Sequence, residues 1–201
     1  MKNTISHITD HKKELRSKLL EQRRNLSERL LSHISRRIYV RLIEFELFTR
    51  ASNIHIYLPI TENREVDTWD IIETAEQMGK EIVVPVMKPG SKYLSHYQIK
   101  PGETKLKPND LGILEPCEEE EYPNPDFDLV IVPMVGGDHY CNRLGYGRGY
   151  YDRFLKTQSD AITIGVMPDE CLVPNIPTEE HDIPLNCIVT ETTICMRGNF
   201  G

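Results

Sequence analysis

The chain has 201 residues, 39% of them hydrophobic and 27% charged, enough for one compact domain with a good-sized core. A formal charge of −7 argues against general attraction to nucleic acid or to membrane surfaces, and much of the excess is local, in the acidic run at residues 118–121 beside Pro123 and Pro125. No stretch approaches the length of a membrane span and the polar N-terminus lacks the apolar core of a signal peptide, so a cytoplasmic chain, expected to be a monomer, is the starting point.

Residues 10–22 carry Leu15, Leu19 and Leu20 at helical spacing, with Thr9 or Asp10 as cap. Ser27 caps a second predicted helix whose buried side holds Leu30, Leu31, Ile34, Ile38, Leu42 and Ile43. A strand is expected over 53–59, a helix over 68–78 closed by Gly79, and a strand over 81–87 whose internal Pro85 points to a strand end or an edge. Residues 93–99 alternate like a half-exposed strand, whereas 129–132 are apolar throughout, as in a strand covered on both faces. A helix follows over 149–158, then buried strands over 162–166 and 187–189. Strands alternating with helices imply an α/β fold with a largely parallel central sheet. The expectation is a single domain over 1–201, with helices in 1–50 and the sheet core in 51–201. Ligands of such sheets sit beyond the carboxyl ends of the strands.

Five cysteines, an odd number without a Cys-x-x-Cys pair, fit reduced thiols. His139 and Cys141 could both touch a metal, but the sequence offers no matching second pair.

Residues 142–152 read Asn-Arg-Leu-Gly-Tyr-Gly-Arg-Gly-Tyr-Tyr-Asp, just past the strand ending at Pro133. Alternate glycines permit sharp turns and leave backbone N–H groups uncovered to cradle phosphate oxygens, while Arg143 and Arg148 add charge-assisted bonds. Three tyrosines offer flat walls and Asp152 could hold a cation. Neither a Gly-x-x-x-x-Gly-Lys-Ser/Thr loop nor the dinucleotide spacing Gly-x-Gly-x-x-Gly is present. Glycine spacing alone is equally compatible with a plain strand-to-helix connection.

This stretch resembles the signature of the 5-formyltetrahydrofolate cyclo-ligase family. Other pieces follow in the family's order: Lys12-Lys13-Glu14-Leu15-Arg16, Glu65-Val66-Asp67-Thr68, Gly112-Ile113-Leu114-Glu115-Pro116, His181-Asp182-Ile183-Pro184-Leu185 and Ile188-Val189-Thr190-Glu191. The likeness spans about residues 12–191. It implies a three-layer α/β/α architecture and conversion of 5-formyltetrahydrofolate with ATP and Mg²⁺ into 5,10-methenyltetrahydrofolate, ADP and phosphate, with small molecules as the only partners. By the same resemblance, Lys12, Lys13, Arg16, Arg143, Leu144, Gly145, Tyr146, Gly147, Arg148, Gly149, Tyr150 and Tyr151 would meet ATP. Leu58 and Glu65, with Tyr146, Gly147, Arg148, Gly149 and Tyr150, would meet the folate, Arg148 and Tyr150 would serve catalysis, and Asp152 and Asn186 would hold the metal. Without it, Lys12 and Arg16 read more readily as a solvated basic helix face, and His181 more readily as a structural hydrogen-bonding residue than as an acid or base.

Departures from the family pattern set the alternatives. Arg148 replaces a common Lys, Gly137 a usual Phe, Cys141 a frequent Gly and Asn186 an Asp. Loss of an aromatic wall at Gly137 and of a charge at Asn186 would suit a folate- or nucleotide-binding paralogue without turnover. A phosphoryl-transfer enzyme with another acceptor is the third reading.

Overall fold

The computed structural model describes residues 2–109, 112–123 and 126–198. Three helices come first, α1 (Lys2–Arg24), α2 (Glu28–Ile43) and α3 (Glu46–Arg50). Then follow β1 (Asn53–Ile56), α4 (Trp69–Gln77), β2 (Glu81–Val86), β3 (Ser95–Gln98), β4 (Leu106–Pro108), β5 (Leu114–Pro116), β6 (Leu129–Pro133), β7 (Gly136–Asp138) and β8 (Arg143–Leu144). The rest comprises α5 (Tyr150–Leu155), β9 (Ile162–Val166), β10 (Leu172–Val173), β11 (Cys187–Val189) and β12 (Ile194–Met196). Among the described residues no helix is long and apolar enough to cross a membrane.

Local chemistry sets the boundaries. The Ser27 hydroxyl accepts the N–H of Leu30 at 3.2 Å and caps α2. Gly79, at φ +72°, closes α4 in the left-handed conformation. The buried stripe of α2 is Ile34, Ile38 and Leu42; Leu30 was expected on it but is 43% exposed, because at 100° per residue it lies roughly 80° from the middle of that stripe. Strand β1 stops at Ile56, short of the expected 59, since the Tyr57 carbonyl accepts the Thr68 hydroxyl and the chain turns out of the sheet there. Helix α5 is only six residues long, not ten.

Seven strands form the main sheet in the order β12-β11-β9-β6-β1-β2-β3. The five inner strands are parallel, and β12 and β3 join antiparallel at the edges. Strand β2 is therefore internal; its Pro85 lies beyond the residues registered with β1 and opposite His96 of β3, so the strand-end expectation holds. Alternating residues feed two cores. Ile54, Ile56, Leu129, Ile131, Ile164 and Val166 pack with α2, α3 and α4 on one face. Val83, Val130, Val132 and Ile188 pack with Phe154 and Leu155 of α5 on the other. This is a three-layer α/β/α arrangement around a mostly parallel sheet. A smaller sheet, β10-β7-β8, rides on the loops beyond the carboxyl ends, and α1 packs there through Leu19 against Val135, Leu144 and Ile176.

The α5 face also encloses two histidines. His96 Nδ1 lies 3.2 Å from His55 Nε2, among the rings of Phe127 and Phe154. Only one of those nitrogens can carry the shared proton. Burial, reinforced by His96, holds His55 well below the usual imidazole range, and burial lowers His96 to about 4. Both rings are thus neutral when folded and charge at about pH 6.5 when unfolded. Their contribution is complete above that value and is lost as pH falls from there towards the folded pKa, with a slope of at most about 1.4 kcal/mol per pH unit for each ring. Urea unfolding between pH 7 and 4.5 is expected to show falling stability, and His55→Phe to flatten the curve; an unchanged slope in that variant would assign the acid sensitivity to other groups.

Candidate active site

A cavity of about 650 Å³ opens at the carboxyl ends of β1, β2 and β6, within the size range of small-molecule sites. The chain leaving β1 supplies Tyr57, Leu58 and Glu65; Pro85, Met87 and Leu94 form an apolar side. Residues 143–152 form a second wall, α1 contributes Lys12, Lys13 and Arg16, and Glu179, His181 and Asp182 complete the rim. The sheet order reverses between β1 and β6, so the cavity sits at the switch point of the topology.

The glycine-rich loop is shaped by two arginines. Gly147 and Gly149 have φ of +90° and +66°, where a side chain would be strained. Two arginine tips also come close. A Cβ at 147 would lie 3.3 Å from the Arg16 guanidinium, and one at 149 would lie 2.8 Å from that of Arg153. Arg16 Nε donates to the Gly145 carbonyl at 2.7 Å, and Arg153 donates to the carbonyls of Lys92 at 2.7 Å and Arg148 at 3.0 Å. Both flanks of the turn are therefore clamped by cations that use only carbonyl acceptors here. Between them the Arg148 side chain is exposed, with no ion pair among the described residues. Leu144 is buried in the contact with α1. Tyr150 holds its ring in place by donating to the Ser91 carbonyl at 2.9 Å. The Tyr151 hydroxyl is enclosed and has no hydrogen-bond partner among the described residues; burial, then Glu65, raises its pKa and keeps it a proton donor. With α5 so short, attraction for an anion rests on these side chains and on loop N–H groups more than on a helix dipole.

Beneath the loop runs a buried polar chain. The Tyr146 hydroxyl donates to Glu65 Oε1, and Glu65 Oε2 accepts the Ile60 N–H at 2.8 Å. Arg23, 2% exposed, donates to the carbonyls of Met134 at 3.0 Å and Arg64 at 3.2 Å and to the Tyr146 oxygen at 3.3 Å. Burial raises the Glu65 pKa, against the pull of its bonds to Tyr146 and Ile60 and of the Arg23 charge. Burial pushes the Tyr146 hydroxyl well up, with Glu65 adding to the effect.

On the opposite wall Lys12, 8% exposed, is no solvated helix face: its ammonium bonds Glu179 at 2.9 Å and also Asp182. Arg143 ties Asp152 to the Ile183 carbonyl, which brings position 152 beside the 179–183 segment. Glu179, His181 and Asp182 could converge on one cation, their nearest ligand atoms lying within 4.8 Å of one another. Lys13 is exposed at the mouth.

Two expectations do not survive this geometry. Asn186 was expected to share a metal with Asp152, but it does not line the cavity. It precedes β11, level with the start of β9, where its Oδ1 accepts both the N–H and the hydroxyl of Thr163 at 2.8 Å. The amide is used to join two strands, and the carboxylates facing the cavity from that segment are Glu179 and Asp182. Gly137 was expected to leave a gap in the folate wall, but it is buried in β7, where a Cβ would meet Ile188 and Met134 at 2.6 Å and Met167 at 3.2 Å. Those side chains fill the space, and it is core space. Cys141 adopts φ +63°, which accounts physically for a frequent glycine at that turn.

Arg23, Arg153 and Glu179 carry the site's framework and had no role in the sequence reading. Arg23 had a signal: it stands eleven residues after Lys12 and seven after Arg16, so all three share one helical face. Arg153 closes the family signature but its partners are backbone carbonyls, and Glu179 had no signal, since its partner is a lysine 167 residues away.

Residues 8–191 match the model of the 5-formyltetrahydrofolate cyclo-ligase family. The chain is 30% identical over 182 residues to the 5-formyltetrahydrofolate cyclo-ligase of Escherichia coli (strain K12), covering 87% of this chain and 97% of that one. Its fold is similar to the NMR structure of Aquifex aeolicus 5,10-methenyltetrahydrofolate synthetase, with a TM-score of 0.80, 31% identity and 94% of each chain covered. A Mycoplasma pneumoniae 5,10-methenyltetrahydrofolate synthetase shares the fold at a TM-score of 0.72 and 21% identity, over 90% of this chain and 98% of that one. By this match and these relatives, the chain belongs to the 5-formyltetrahydrofolate cyclo-ligase family of enzymes.

Proposed function

We propose that the cavity binds ATP and 5-formyltetrahydrofolate together and closes the folate ring by activating the formyl oxygen. A formyl amide is a poor electrophile because its nitrogen donates into the carbonyl. Transfer of the γ-phosphoryl group forms a new P–O bond at the formyl oxygen and breaks the bond to ADP. N10 then attacks the formyl carbon and loses its proton, and the C–O bond breaks to release phosphate. The protein supplies no nucleophile; it aligns two substrates and neutralises moving charge. The observation that carries this reading is the glycine loop, clamped by Arg16 and Arg153, with Arg148, exposed and without an ion pair among the described residues, at its turn.

Each residue then has a task. Lys12, Lys13, Arg16 and Arg143 receive the ATP phosphates with the N–H groups of 145–149, and Leu144 backs the loop. Arg148 meets the transferring phosphoryl group. Tyr150 and Tyr146 wall the junction, Leu58 packs on the folate ring, and Glu65 accepts from its N–H groups. The enclosed Tyr151 hydroxyl has a donor to offer a ligand oxygen. Asp152, Glu179 and Asp182 are hard oxygen donors that suit Mg²⁺, which would screen the phosphate charge when bound with ATP. Cytosolic residence accompanies this reading.

The paralogue without turnover loses support because Gly137 and Asn186, the positions that suggested it, lie outside the cavity. Mixing purified protein, ATP, Mg²⁺ and 5-formyltetrahydrofolate should yield the near-ultraviolet absorbance of the methenyl product; tight folate binding without product would restore the binding-protein reading. Arg148→Ala should lower turnover by about two to three orders of magnitude with the fold intact, while Arg148→Lys keeps most activity. Near-normal turnover in Arg148→Ala would remove that residue from the chemistry. Asp182→Asn should raise the Mg²⁺ needed for half-maximal rate, whereas Asn186→Asp should leave it unchanged; the opposite pattern would return the metal to position 186.

A further inference from the structure

Of the two arginines that clamp the glycine loop, Arg16 lines the cavity and Arg153 does not. Arg153 stands half-buried behind the loop, one helical turn into α5. Its guanidinium reaches three pieces of the cavity wall from that side. Nε donates to the Lys92 carbonyl at 2.7 Å and Nη2 to the Arg148 carbonyl at 3.0 Å. The guanidinium carbon also lies 5.4 Å from the centre of the Tyr150 ring, so the cation backs that ring.

Each contact fixes something the reaction needs. Lys92 lies in the loop between β2 and β3, whose two ends, Met87 and Leu94, form part of the apolar side of the cavity. That loop bends at Gly90, with φ +77°, and its internal bonds are local: the Ser91 N–H to the Lys88 carbonyl at 3.1 Å and the Ser91 hydroxyl to the Tyr93 carbonyl at 2.9 Å. Local bonds shape a loop without setting where it lies against a neighbour. Its register with the glycine turn comes from α5, through the Tyr150 hydroxyl on the Ser91 carbonyl and Arg153 on the next one. The second contact orients a peptide. In a planar trans peptide the carbonyl and the following N–H point in opposite directions. Holding the Arg148 carbonyl towards Arg153 therefore turns the N–H of Gly149, a residue that lines the cavity, away from Arg153.

We infer that Arg153 is a positioning residue: one guanidinium holds the β2–β3 loop and the phosphate loop in register, so that the formyl oxygen and the γ-phosphorus meet in line. The inference rests on the function proposed above. A planar fork suits this task because it presents donors to two carbonyls at once, whereas a single ammonium reaches them from one point. Since Arg153 stands outside the cavity, its loss falls on alignment more than on the binding of either substrate, and misplacing reacting atoms by about 1 Å can cost roughly 100-fold in rate.

The test compares kcat, both KM values and the thermal midpoint for the wild-type enzyme, Arg153→Ala and Arg153→Lys. Arg153→Ala should lower kcat by about ten- to a hundred-fold while both KM values stay within about three-fold and the thermal midpoint stays close to the wild type. Guanidinium ions at low millimolar concentration should restore part of that kcat in a saturable way, and methylammonium ions should not. Arg153→Lys should fall between, about three- to ten-fold below the wild type. Unchanged kcat in a folded Arg153→Ala protein would overturn the inference while leaving the reaction standing. So would a raised KM for ATP at unchanged kcat, which would make Arg153 a phosphate ligand. A fall in kcat that tracks a fall in thermal midpoint and ignores guanidinium would reduce Arg153 to a structural role. If Arg153→Ala does not fold, Arg153→Lys decides: wild-type kcat there would overturn the inference by showing that no fork is needed. Absence of methenyl product from the wild-type enzyme would overturn the reaction and the inference together.

Discussion

One buried guanidinium holds the site together. Arg23, near the end of α1, donates to the chain end of β6 at Met134, to the loop after β1 at Arg64 and to Tyr146 of the glycine loop. Burying a charge costs several kcal/mol unless partners replace the lost water. Here burial works against the charge, and Tyr146 and Glu65 outweigh it, so that the Arg23 pKa is raised. The price of that burial is met by fixing four segments in one arrangement. Arg16 on Gly145 and Tyr146 on Glu65 add directional ties between pairs of these segments, but Arg23 alone of these three residues bonds to the end of β6, the loop after β1 and the glycine loop together.

From this anchor the rest of the cavity follows. Leu19 and Arg23 fix α1 against the small sheet, which sets Arg16 and Lys12, one and two helical turns further back, along the same face. Arg16 then clamps one side of the glycine turn while Arg153 clamps the other from α5. Positive charge is thus concentrated at the strand ends of an otherwise acidic molecule. The acids present are placed as counterparts, Glu179 and Asp182 on Lys12 and Asp152 on Arg143. These ion pairs order the charged groups of the cavity against one another.

Much of this was legible in the residue order. The strand over 129–132 announced itself because both faces are covered and every position is apolar, and that over 162–166 because Thr163 is its one polar position. The glycine loop was legible because alternate glycines, arginines and tyrosines serve no simpler purpose, and its place after a buried strand fixed the end of the sheet to look at. Short strands such as β8 and β10 were not, since two residues carry no period and their pairing comes from tertiary neighbours. Asn186 misled for a related reason: its place in the metal set came from the family pattern alone, and only the folded register reveals Thr163 as its partner. Gly137 misled in the opposite way, since an absent side chain reads as a hole until the methionines that fill it are seen.

Heavy-oxygen labelling tests the proposed oxygen activation within this cavity most directly. Substrate labelled at the formyl oxygen would be turned over with ATP and Mg²⁺, and the released phosphate analysed by mass spectrometry. Phosphoryl transfer to that oxygen predicts one labelled oxygen in each phosphate and none in ADP. Label released as water, or methenyl product formed without loss of ATP, would contradict the mechanism.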